Sequence, residues 1–545
     1  MKNVVATSWL GVWLLACGGE DPIAAPDDAG PAAPPVEAPA DVPPITGGCD
    51  RQLLPSQDAC VLHELVGVFV SSSKGADQND GTRARPYGTL AKGIDMAKAS
   101  GRRVYVCAET YAETTLRLAE GVSVFANLTC TAPEWAVTTQ HALYASTAST
   151  ALTATGIAAE TRIEGLDVLA GSGMVPGESS IGLVAEEAPG LHFVGSRIAA
   201  QSGADGSNGA DGVQFPGAFD GADGASAAAC NRNGSGTVFP FSCSNAPRAP
   251  GGAGVCSAAG VEIATNPGGA GGASVPHERE GLGYVRAEQY TCGIGARCYR
   301  HNGRGLPEAA TPETAVGANA SYPNSDVSVA SSRSVAAVGQ PGGAGADGSN
   351  APALGVLTAA GYVPADGTAG GNGTPGQGGG GGSASTPPPQ WLGTPPAYAI
   401  GAGGGGGGSG GCPGMAGGFG TGGGASIAVL ARDSAFRLES SVIASGPGGI
   451  GGRGSLGSAP TAGGLPGSRG LDAAAAGGAG GTPGWSGHGS SGPSIGIAWA
   501  GVQPFVATDS RVDAAPPRDG QPALTGGGKT IPAMPAGVSA AIRAL

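Results

Sequence analysis

Cysteine is the residue type whose number and placement bear most directly on chemistry in this chain. Eleven are present, and Cys17 lies in an N-terminal stretch that reads as a leader. The others form an even set, which in an exported chain predicts disulfides formed in an oxidising compartment. No two are spaced as CxxC, so a zinc site is not expected. The spacing does not fix the pairing, but neighbours in sequence are the favoured partners: Cys49 with Cys60, Cys107 with Cys130, and Cys292 with Cys298.

No other reactive residue type forms a catalytic or metal-binding constellation in the sequence. The six histidines, at positions 63, 141, 192, 277, 301 and 488, are scattered without metal spacing. Ser409 sits in a Gly-x-Ser-x-Gly pattern, but only because nearly every residue around it is glycine. A glycosidase needs two carboxylates at a defined separation, and no such pair stands out. We therefore nominate no catalytic residue, no metal and no cofactor.

Residues 1–17 predict an export signal. One early lysine precedes an apolar run from Val4 to Ala16, which is too short to span a bilayer comfortably. The run ends in Leu-Leu-Ala-Cys17, which looks like a bacterial lipobox. That resemblance implies cleavage before Cys17 and lipidation of its thiol. An ordinary secretory signal with a chance cysteine is the alternative.

The residues after Cys17 favour the lipoprotein interpretation. Residues 18–48 are rich in Pro, Ala and Asp and lack apolar periodicity, which is typical of a polar tether. Acyl chains on Cys17 would hold the chain in a membrane. Gly18, rather than Asp, follows the cysteine and favours sorting to the outer membrane or cell surface. We expect an exported, lipid-anchored protein.

The composition limits both the fold and the partners. The 545 residues include 105 Gly and 43 Pro, while aromatic residues reach only 5%. Such a composition predicts a modest core with long glycine-rich excursions instead of one large close-packed domain. The net charge of −13 argues against nucleic acid as a partner, because no basic surface is available to neutralise phosphates.

The stretch 66–128 has the clearest order of elements. A short apolar strand at its start leads into a polar turn. A helix follows, with Leu90, Ile94 and Ala97 on one face. Three β-type runs come next, at 104–107, 114–118 and 122–125.

This order resembles the N-terminal region of pectin-lyase-like right-handed parallel β-helix proteins. The motifs that carry the resemblance are Val68-Phe-Val-Ser, Gly75-x-Asp77-x-Asn79-Asp80-Gly81-Thr82, Pro86-Tyr-Gly-Thr89-Leu90 and Thr110-Tyr111-x-Glu113. The stretch is similar to a domain of unknown function at the start of many exported β-helix proteins. The resemblance implies an all-β fold of stacked parallel strands, with the helix covering the otherwise exposed end of the stack.

The polar turn in this stretch admits two interpretations. Asp77, Asn79 and Asp80 have side chains that could ligate calcium. Short polar side chains also bond to the amides of nearby turns, and we favour that role because it needs no metal.

Internal repeats support a stack of rungs. Each of four segments has an apolar first or third residue, a Ser or Leu at the sixth position, and Ile or Val at the eighth. The segments are 161–170, 191–200, 436–445 and 505–514, with Leu166, Ser196, Ser441 and Ser510 at the sixth position. We expect the serines to bond to the backbone at turns and not to act as nucleophiles.

Glycine-rich sequence separates these repeats. Gly-x-y triplets recur, and the hexapeptide GADGSN occurs at both 203 and 345. Strict triplets predict threefold helices of the polyproline II or polyglycine II kind, and these could bundle against the stack. Disorder is the alternative, because glycine loses the most entropy on folding. The triplets also resemble glycine-rich surface proteins of the PGRS type.

These observations divide the chain into seven parts. The expected parts are the leader 1–17, the tether 18–48, a cap with first rungs 49–200, a glycine-rich insertion 201–424, a rung 425–446, a second insertion 447–492, and a last rung with tail 493–545.

The sequence predicts a non-enzymatic, surface-anchored scaffold. Its glycine-rich loops would serve adhesion, envelope or polysaccharide interaction, and the membrane would be reached through the lipid anchor. The pectin-lyase fold also hosts lyases and glycoside hydrolases, so a polysaccharide-active enzyme is the alternative. Gly487-His488-Gly489 resembles a hydrolase motif of that fold, but it lacks the acidic companions and lies in a glycine-rich stretch.

Overall fold

The structure is a computed structural model of the 545-residue chain. It describes residues 49–545 except 132–133, 227, 233–239, 244–248, 272–284, 294–295, 302–335, 359–360, 383–397, 401–402 and 470–472. The leader, Cys17 and the tether of residues 18–48 lie outside the described residues.

Strands dominate the described residues, and helices are few. One 3-10 helix spans Ala59–Val61 and one α-helix, α1, spans Leu90–Ser100. The strands before residue 200 are β1 Gly67–Val70, β2 Arg103–Cys107, β3 Thr110–Glu113, β4 Leu116–Arg117, β5 Val124–Thr131, β6 Glu134–Val137, β7 Ala142–Ser146, β8 Thr150–Thr155, β9 Thr161–Glu164, β10 Leu166–Leu169, β11 Ser180–Glu186, β12 Leu191–Val194 and β13 Arg197–Ala199. The later strands are β14 Ala228–Arg232, β15 Pro240–Cys243, β16 Val255–Ala258, β17 Val261–Ala264, β18 Val285–Gly293, β19 Ala296–His301, β20 Val356–Thr358, β21 Gly361–Val363, β22 Tyr398–Ile400, β23 Ser426–Arg432, β24 Arg437–Glu439, β25 Val442–Ser445, β26 Ser494–Ala500, β27 Phe505–Val506, β28 Arg511–Ala514, β29 Leu524–Gly526, β30 Lys529–Ile531 and β31 Ser539–Ala544.

Three parallel sheets form the body of the fold. Sheet A has the order β1-β2-β5-β9-β12-β24-β27, with β6 antiparallel to β5. Sheet B has the order β3-β7-β10-β13-β25-β28, and sheet C the order β4-β8-β11-β23-β26-β31. From β2 onward the chain contributes one strand to A, then one to B, then one to C, and repeats that circuit. The expectation of an all-β protein with parallel strands is therefore confirmed.

The sheets enclose one continuous apolar core. Alternate side chains along each strand point inward, as expected for strands with one buried face. Val168, Phe193, Ile198, Leu438 and Ile443 are among the core residues, and each is at most 1% exposed. Successive circuits place similar side chains above one another, because the strands pair in register.

Helix α1 packs against the first strands of sheet A. The Thr89 hydroxyl accepts the amide of Lys92 at its N-terminus, and Gly101 ends it in the left-handed region at φ 63°. Leu90, Ile94 and Ala97 are buried in the core, as their spacing predicts. Glu113 on β3 accepts the amide of Leu90 at 2.7 Å, so the helix is joined to sheet B as well.

The repeated serines form a ladder at the turn between sheets A and B. The hydroxyl oxygen of Ser196 accepts the amide of Leu166 at 3.2 Å. Ser441 accepts the amide of Ser196 at 3.2 Å, and Ser510 accepts the amide of Ser441 at 3.1 Å. Each hydroxyl satisfies a backbone amide of the preceding circuit, which is a structural role.

The glycine-rich insertions interrupt circuits instead of lying between them. The large one leaves the end of β13 in sheet B and returns at β23 in sheet C, and the second leaves β25 and returns at β26. The segment from β28 to β31 follows the same route. Insertions therefore leave the stack repeatedly at one position, the connection from sheet B to sheet C.

Within the described residues, seven glycine-rich segments of mostly extended backbone run outside the three parallel sheets, and the second of them includes the β16–β17 hairpin. We number them I to VII, and they span 203–224, 249–271, 336–350, 365–382, 403–424, 446–469 and 473–493. Segment V is the innermost, since every residue from 403 to 414 is buried. It is hydrogen-bonded to segments I, II, IV, VI and VII.

Hydrogen bonds between the segments recur at every third residue. The amides of Gly206 and Gly209 in segment I donate to the carbonyls of Ile450 and Arg453 in segment VI, both at 2.8 Å. Similar bonds from Gly221 and Gly224 follow further along the same pair of segments. One residue in three therefore faces a given neighbour, which is the spacing of a threefold extended helix.

The register of sheet B continues without a shift into these segments. Ser196 and its partner Ser441 are 245 residues apart in the ladder beside β13 and β25. The Asp205 side chain and the amide of Ile450, in segments I and VI, are also 245 residues apart. The same separation holds at Asp223 and Ser468, near the far end of both segments. Segments I and VI are thus direct extensions of two adjacent strands.

The close approach of the segments explains why every third residue is glycine. A Cβ atom on Gly209 would lie 1.9 Å from the carbonyl oxygen of Gly418, and one on Gly452 would lie 1.9 Å from that of Ser207. Such distances are far inside van der Waals contact. Because neither residue has a positive φ, glycine is required here by space and not by backbone conformation.

Alanine substitutions within segment I test this packing. We expect Gly209→Ala to lower the free energy of unfolding by about 3 kcal/mol, because its Cβ must displace backbone. Gly217→Ala is the matched control, since a Cβ at Gly217 meets no atom within 4 Å. Its effect should stay within about 0.5 kcal/mol. Chemical denaturation of both variants measures the difference, and equal effects would contradict the packing argument.

Candidate functional site

Polar side chains close the rim between segments I and VI. The side-chain oxygens of Asp205 and Asn208 accept the amides of Ile450 and Arg453, both at 2.7 Å. Further along, Asp220 and Asp223 accept the amides of Leu465 and Ser468 at 2.6 and 2.7 Å. Each of these acidic or amide residues immediately precedes a glycine of the triplet pattern. Their side chains supply acceptors to amides at the rim of the bundle.

The second copy of the GADGSN hexapeptide makes the equivalent contacts with segment VII. The Asp347 carboxylate accepts the amide of Trp485 at 3.2 Å, and the Asn350 side chain accepts the amide of His488 at 2.9 Å. Both pairs are 138 residues apart. The repetition of the hexapeptide therefore marks two segments that use the same side chains for the same purpose.

Hydroxyl groups serve other rim positions. Thr421 accepts the amide of Ser207 at 2.7 Å, and Thr374 accepts that of Gly343 at 2.7 Å. Thr368 accepts the amide of Ser349 at 2.6 Å. Threonine residues at the x and y positions of the triplets thus form hydrogen bonds to the neighbouring segment.

Two rim carboxylates have lowered pKa values. The amide and hydroxyl of Ser468 lower the pKa of Asp223. Burial alone would raise the pKa of Asp347, but the Lys529 ammonium at 3.0 Å and the Trp485 amide outweigh it and lower the pKa. Both groups accept hydrogen bonds best when ionised, so they favour the folded bundle at neutral pH.

Asp205 offers a direct test of these rim contacts. We expect Asp205→Ala to lower the free energy of unfolding by about 1 kcal/mol, because the amide of Ile450 loses its acceptor. Asp205→Asn retains an oxygen at the same position, so its free energy of unfolding should be close to that of the unsubstituted protein. Thermal or denaturant unfolding of both variants makes the comparison. An Asn variant as unstable as the Ala variant would show that charge, not the hydrogen bond, is what matters.

A second polar feature is a column of charged side chains on the outer face of sheet A. Arg162, His192 and Arg437 are register partners on β9, β12 and β24, and Phe505 on β27 follows them. Arg437 lies over the Phe505 ring, with its guanidinium carbon 5.5 Å from the ring centroid. We name these residues, together with Glu164 and Glu439, the sheet A column.

Ion pairs connect the members of the sheet A column. Glu164 lies 2.8 Å from Arg162 and Glu439 lies 3.4 Å from Arg437, and both are ion pairs. The same Glu439 carboxylate lies 3.1 Å from the ring nitrogen Nε2 of His192. The two carboxylates are two strands apart, which corresponds to about 10 Å between their Cα atoms. The column can donate and accept hydrogen bonds to a polar ligand and offers the Phe505 ring for stacking.

A shallow groove lies on the outer face of sheet C. Its volume is about 270 Å³, and its apolar lining includes Val184, Leu430 and Leu545. An ion pair between Glu186 and Arg432 stands at its side. The groove can accept a small apolar group.

The Asp77 turn acts as a structural cap in the folded protein. The Asp77 carboxylate accepts the amides of Gly88 and Thr89 at 3.1 and 2.9 Å, at the start of α1. Asn79 donates to the carbonyl of Pro86 at 2.8 Å. Asp80 accepts the Thr82 hydroxyl at 2.9 Å. Asp77 and Asp80 therefore accept nearby backbone amides, which is the role that the sequence favours, while Asn79 bonds to a backbone carbonyl.

The residues that resemble catalytic motifs are engaged in packing. Ser409 is fully buried, and its hydroxyl oxygen accepts the amide of Phe219 at 2.9 Å. His488 is also fully buried, and its Nδ1 accepts the amide of Gly454 at 2.9 Å. Among the described residues, one group has metal-ligand types within reach of one another, Cys107, Glu109 and Cys130, but its two sulfurs belong to a disulfide.

The cysteines combine local and distant partners. Cys107 and Cys130, neighbours on β2 and β5, form a disulfide. Cys49 and Cys60 are each disulfide-bonded. Cys292 and Cys298 lie on the paired strands β18 and β19, and their side chains are outside the described residues, as is Cys17.

The structure also contains a disulfide that no sequence argument predicts. Cys256 on β16 is bonded to Cys412 in segment V, 156 residues away. Both are fully buried beside Phe215 of segment I. Spacing in the sequence could not reveal this pair.

The side chains that accept hydrogen bonds at the rim did have a visible signal in the sequence, namely the Asp or Asn that precedes glycine in the repeated hexapeptide.

No protein-family model, curated protein or solved structure matches this chain. In the part of the chain that the structure describes, no helix has the length and apolar character needed to cross a membrane.

Proposed function

We propose that this chain is an exported, lipid-anchored scaffold built as a right-handed parallel β-helix that carries a bundle of polyglycine II helices. The rotation of the chain through sheets A, B and C supports the first part of this proposal. The three-residue spacing of hydrogen bonds between segments I and VI supports the second. Its role is non-enzymatic, namely adhesion or contact with envelope or polysaccharide.

One observation carries the proposal: the separation of 245 residues persists from the serine ladder to the end of segments I and VI. Continuous register makes the glycine segments an ordered extension of the stack. An ordered bundle presents a fixed surface, as a scaffold for binding requires. The hydroxyl, amide and carboxylate groups at its rim suit hydrogen bonding to polyhydroxylated surfaces.

The anchor is tested at Cys17. We expect Cys17→Ser to move the protein from the membrane fraction to the soluble fraction, because no thiol remains to carry acyl chains. Ala16→Gly keeps a small residue before the cysteine and should stay in the membrane fraction. Fractionation with immunodetection measures both. Retention of the Cys17→Ser protein in the membrane would contradict lipid anchoring.

A polysaccharide-active enzyme is the second candidate, and the sheet A column is the observation that favours it. Glu164 and Glu439 lie on the same face of sheet A beside Arg162 and Arg437. A glycoside hydrolase or lyase would need acidic and basic groups arranged on such a face.

The two candidates are distinguished by one screen of the Cys17→Ser protein. We expect it to bind glycans on an array and to release no product from pectin, alginate or glycosaminoglycans. Glu164→Gln and Glu439→Gln are the variants to compare. Release of unsaturated uronides or reducing ends that is lost in either variant would establish the enzyme and overturn the scaffold.

A further inference from the structure

His488 joins three glycine segments through its backbone and its ring. It lies in segment VII, and its amide donates to Asn350 of segment III at 2.9 Å. Its carbonyl accepts the amide of Ala351 at 2.9 Å. Its ring nitrogen Nδ1 accepts the amide of Gly454 in segment VI at 2.9 Å. Segments III, VI and VII therefore meet at this residue.

The hydrogen bond at Nδ1 requires a neutral ring. A neutral imidazole carries one proton, and since Nδ1 accepts from Gly454 the proton is assigned to Nε2. The Nε2 atom is buried and has no hydrogen-bond partner among the residues that the structure describes. Protonation would place a second N–H on Nδ1, pointing at the N–H of Gly454. Donor would then face donor inside the bundle.

We propose that His488 is an acid-sensitive latch whose protonation breaks the bond to Gly454 and separates segments VI and VII. The contact lies in the interior of the bundle, where the side chain is 0% exposed. A charged ring that is fully buried loses the hydration that stabilises its charge in water. The repulsion between the two N–H groups is relieved when segments VI and VII open locally, because water can then reach the His488 ring and the Gly454 amide.

Among the described residues, no carboxylate bonds to the His488 ring to stabilise its protonated form. Burial lowers the pKa of His488, and the nearby Arg453 guanidinium lowers it further. The Asp347 carboxylate is bound to Trp485 and Lys529, and that of Asp366 to the amide of Gly422. Segment V contains no charged residue. Charged groups on the packed elements are Arg453 and Arg469 on segment VI, Asp347 on segment III, Asp366 on segment IV, Lys529 on β30, and Arg518 and Asp519 before β29.

The sign of the pH dependence follows from the lowered pKa. The unfolded histidine titrates near 6.5, and the folded one titrates at lower pH. The stabilising contribution of neutral His488 is therefore complete above about pH 6.5 and is lost as the pH falls below that value. One proton is taken up on opening, so the opening equilibrium shifts up to about tenfold per pH unit.

Hydrogen exchange of the full chain between pH 7 and pH 5 tests the latch. After correction for the intrinsic rate, exchange at Gly454 should rise by up to about tenfold per pH unit below about 6.5. Gly464 and Gly467 in the same segment are internal references, since their amides donate to backbone carbonyls of segment V. Equal pH responses at Gly454 and at these references would overturn the proposal.

The variant His488→Asn separates titration from packing. Its side-chain oxygen lies near the position of Nδ1 and can accept from Gly454, but it does not titrate. We expect exchange at Gly454 in this variant to follow the references across the whole pH range. If His488→Asn retains the excess acid response, another group is responsible and the latch is wrong. If the variant does not fold, the comparison within the unsubstituted protein still decides the question.

Discussion

The whole glycine-rich part of this protein depends on one constraint: neighbouring backbones must approach closely enough to exchange hydrogen bonds with no side chain between them. A Cβ on Gly209, Gly449 or Gly484 would lie within 2 Å of a carbonyl oxygen on the adjacent segment. Glycine is costly in conformational entropy. The bonds at every third residue, with burial of segment V, offset that cost. The composition that suggests disorder is therefore also the composition that this packing requires.

A bundle of this kind has a problem at its rim, where the outer segments lack neighbours on one side. Water can satisfy exposed amides, but it does not fix the relative position of two chains. Asp205, Asn208, Thr368 and Thr374 do fix it, because each side chain reaches from its own segment to the amide of the next. The residues of a triplet thus have two different roles. Glycine allows the close approach of the backbones, and a short polar residue determines the register. The stack uses the same device in its serine ladder, with Ser441 and Ser510.

Much of the strand stack could be predicted from sequence, because alternation and repetition leave direct signals. Ile198, Ile443 and Val512 occupy the repeated eighth position, and they are register partners in sheet B. The path of the insertions could not be predicted. The sequence shows a long insertion between Ser196 and Ser441. Only the structure shows that this insertion leaves the stack after a strand of sheet B and returns at a strand of sheet C. The Cys256–Cys412 bond was likewise hidden, since its partners are joined by packing and not by spacing. A triplet pattern alone also does not reveal which segments are neighbours, since each glycine face fits any other.

The position of the insertions has a consequence for how function can be arranged on this molecule. Because the two glycine-rich insertions leave sheet B and return at sheet C, neither interrupts the passage from sheet A to sheet B. Arg162, His192 and Arg437 stay in unbroken register across three circuits, although 245 residues separate the last two. A ligand on the sheet A column would therefore contact the stack alone. A ligand on the rim of the bundle would contact the glycine segments, whose relative positions depend largely on their mutual hydrogen bonds. Local opening of segments VI and VII would alter the second surface and leave the hydrogen bonds of sheet A intact. The two surfaces can thus differ in their response to conditions even though one chain builds both.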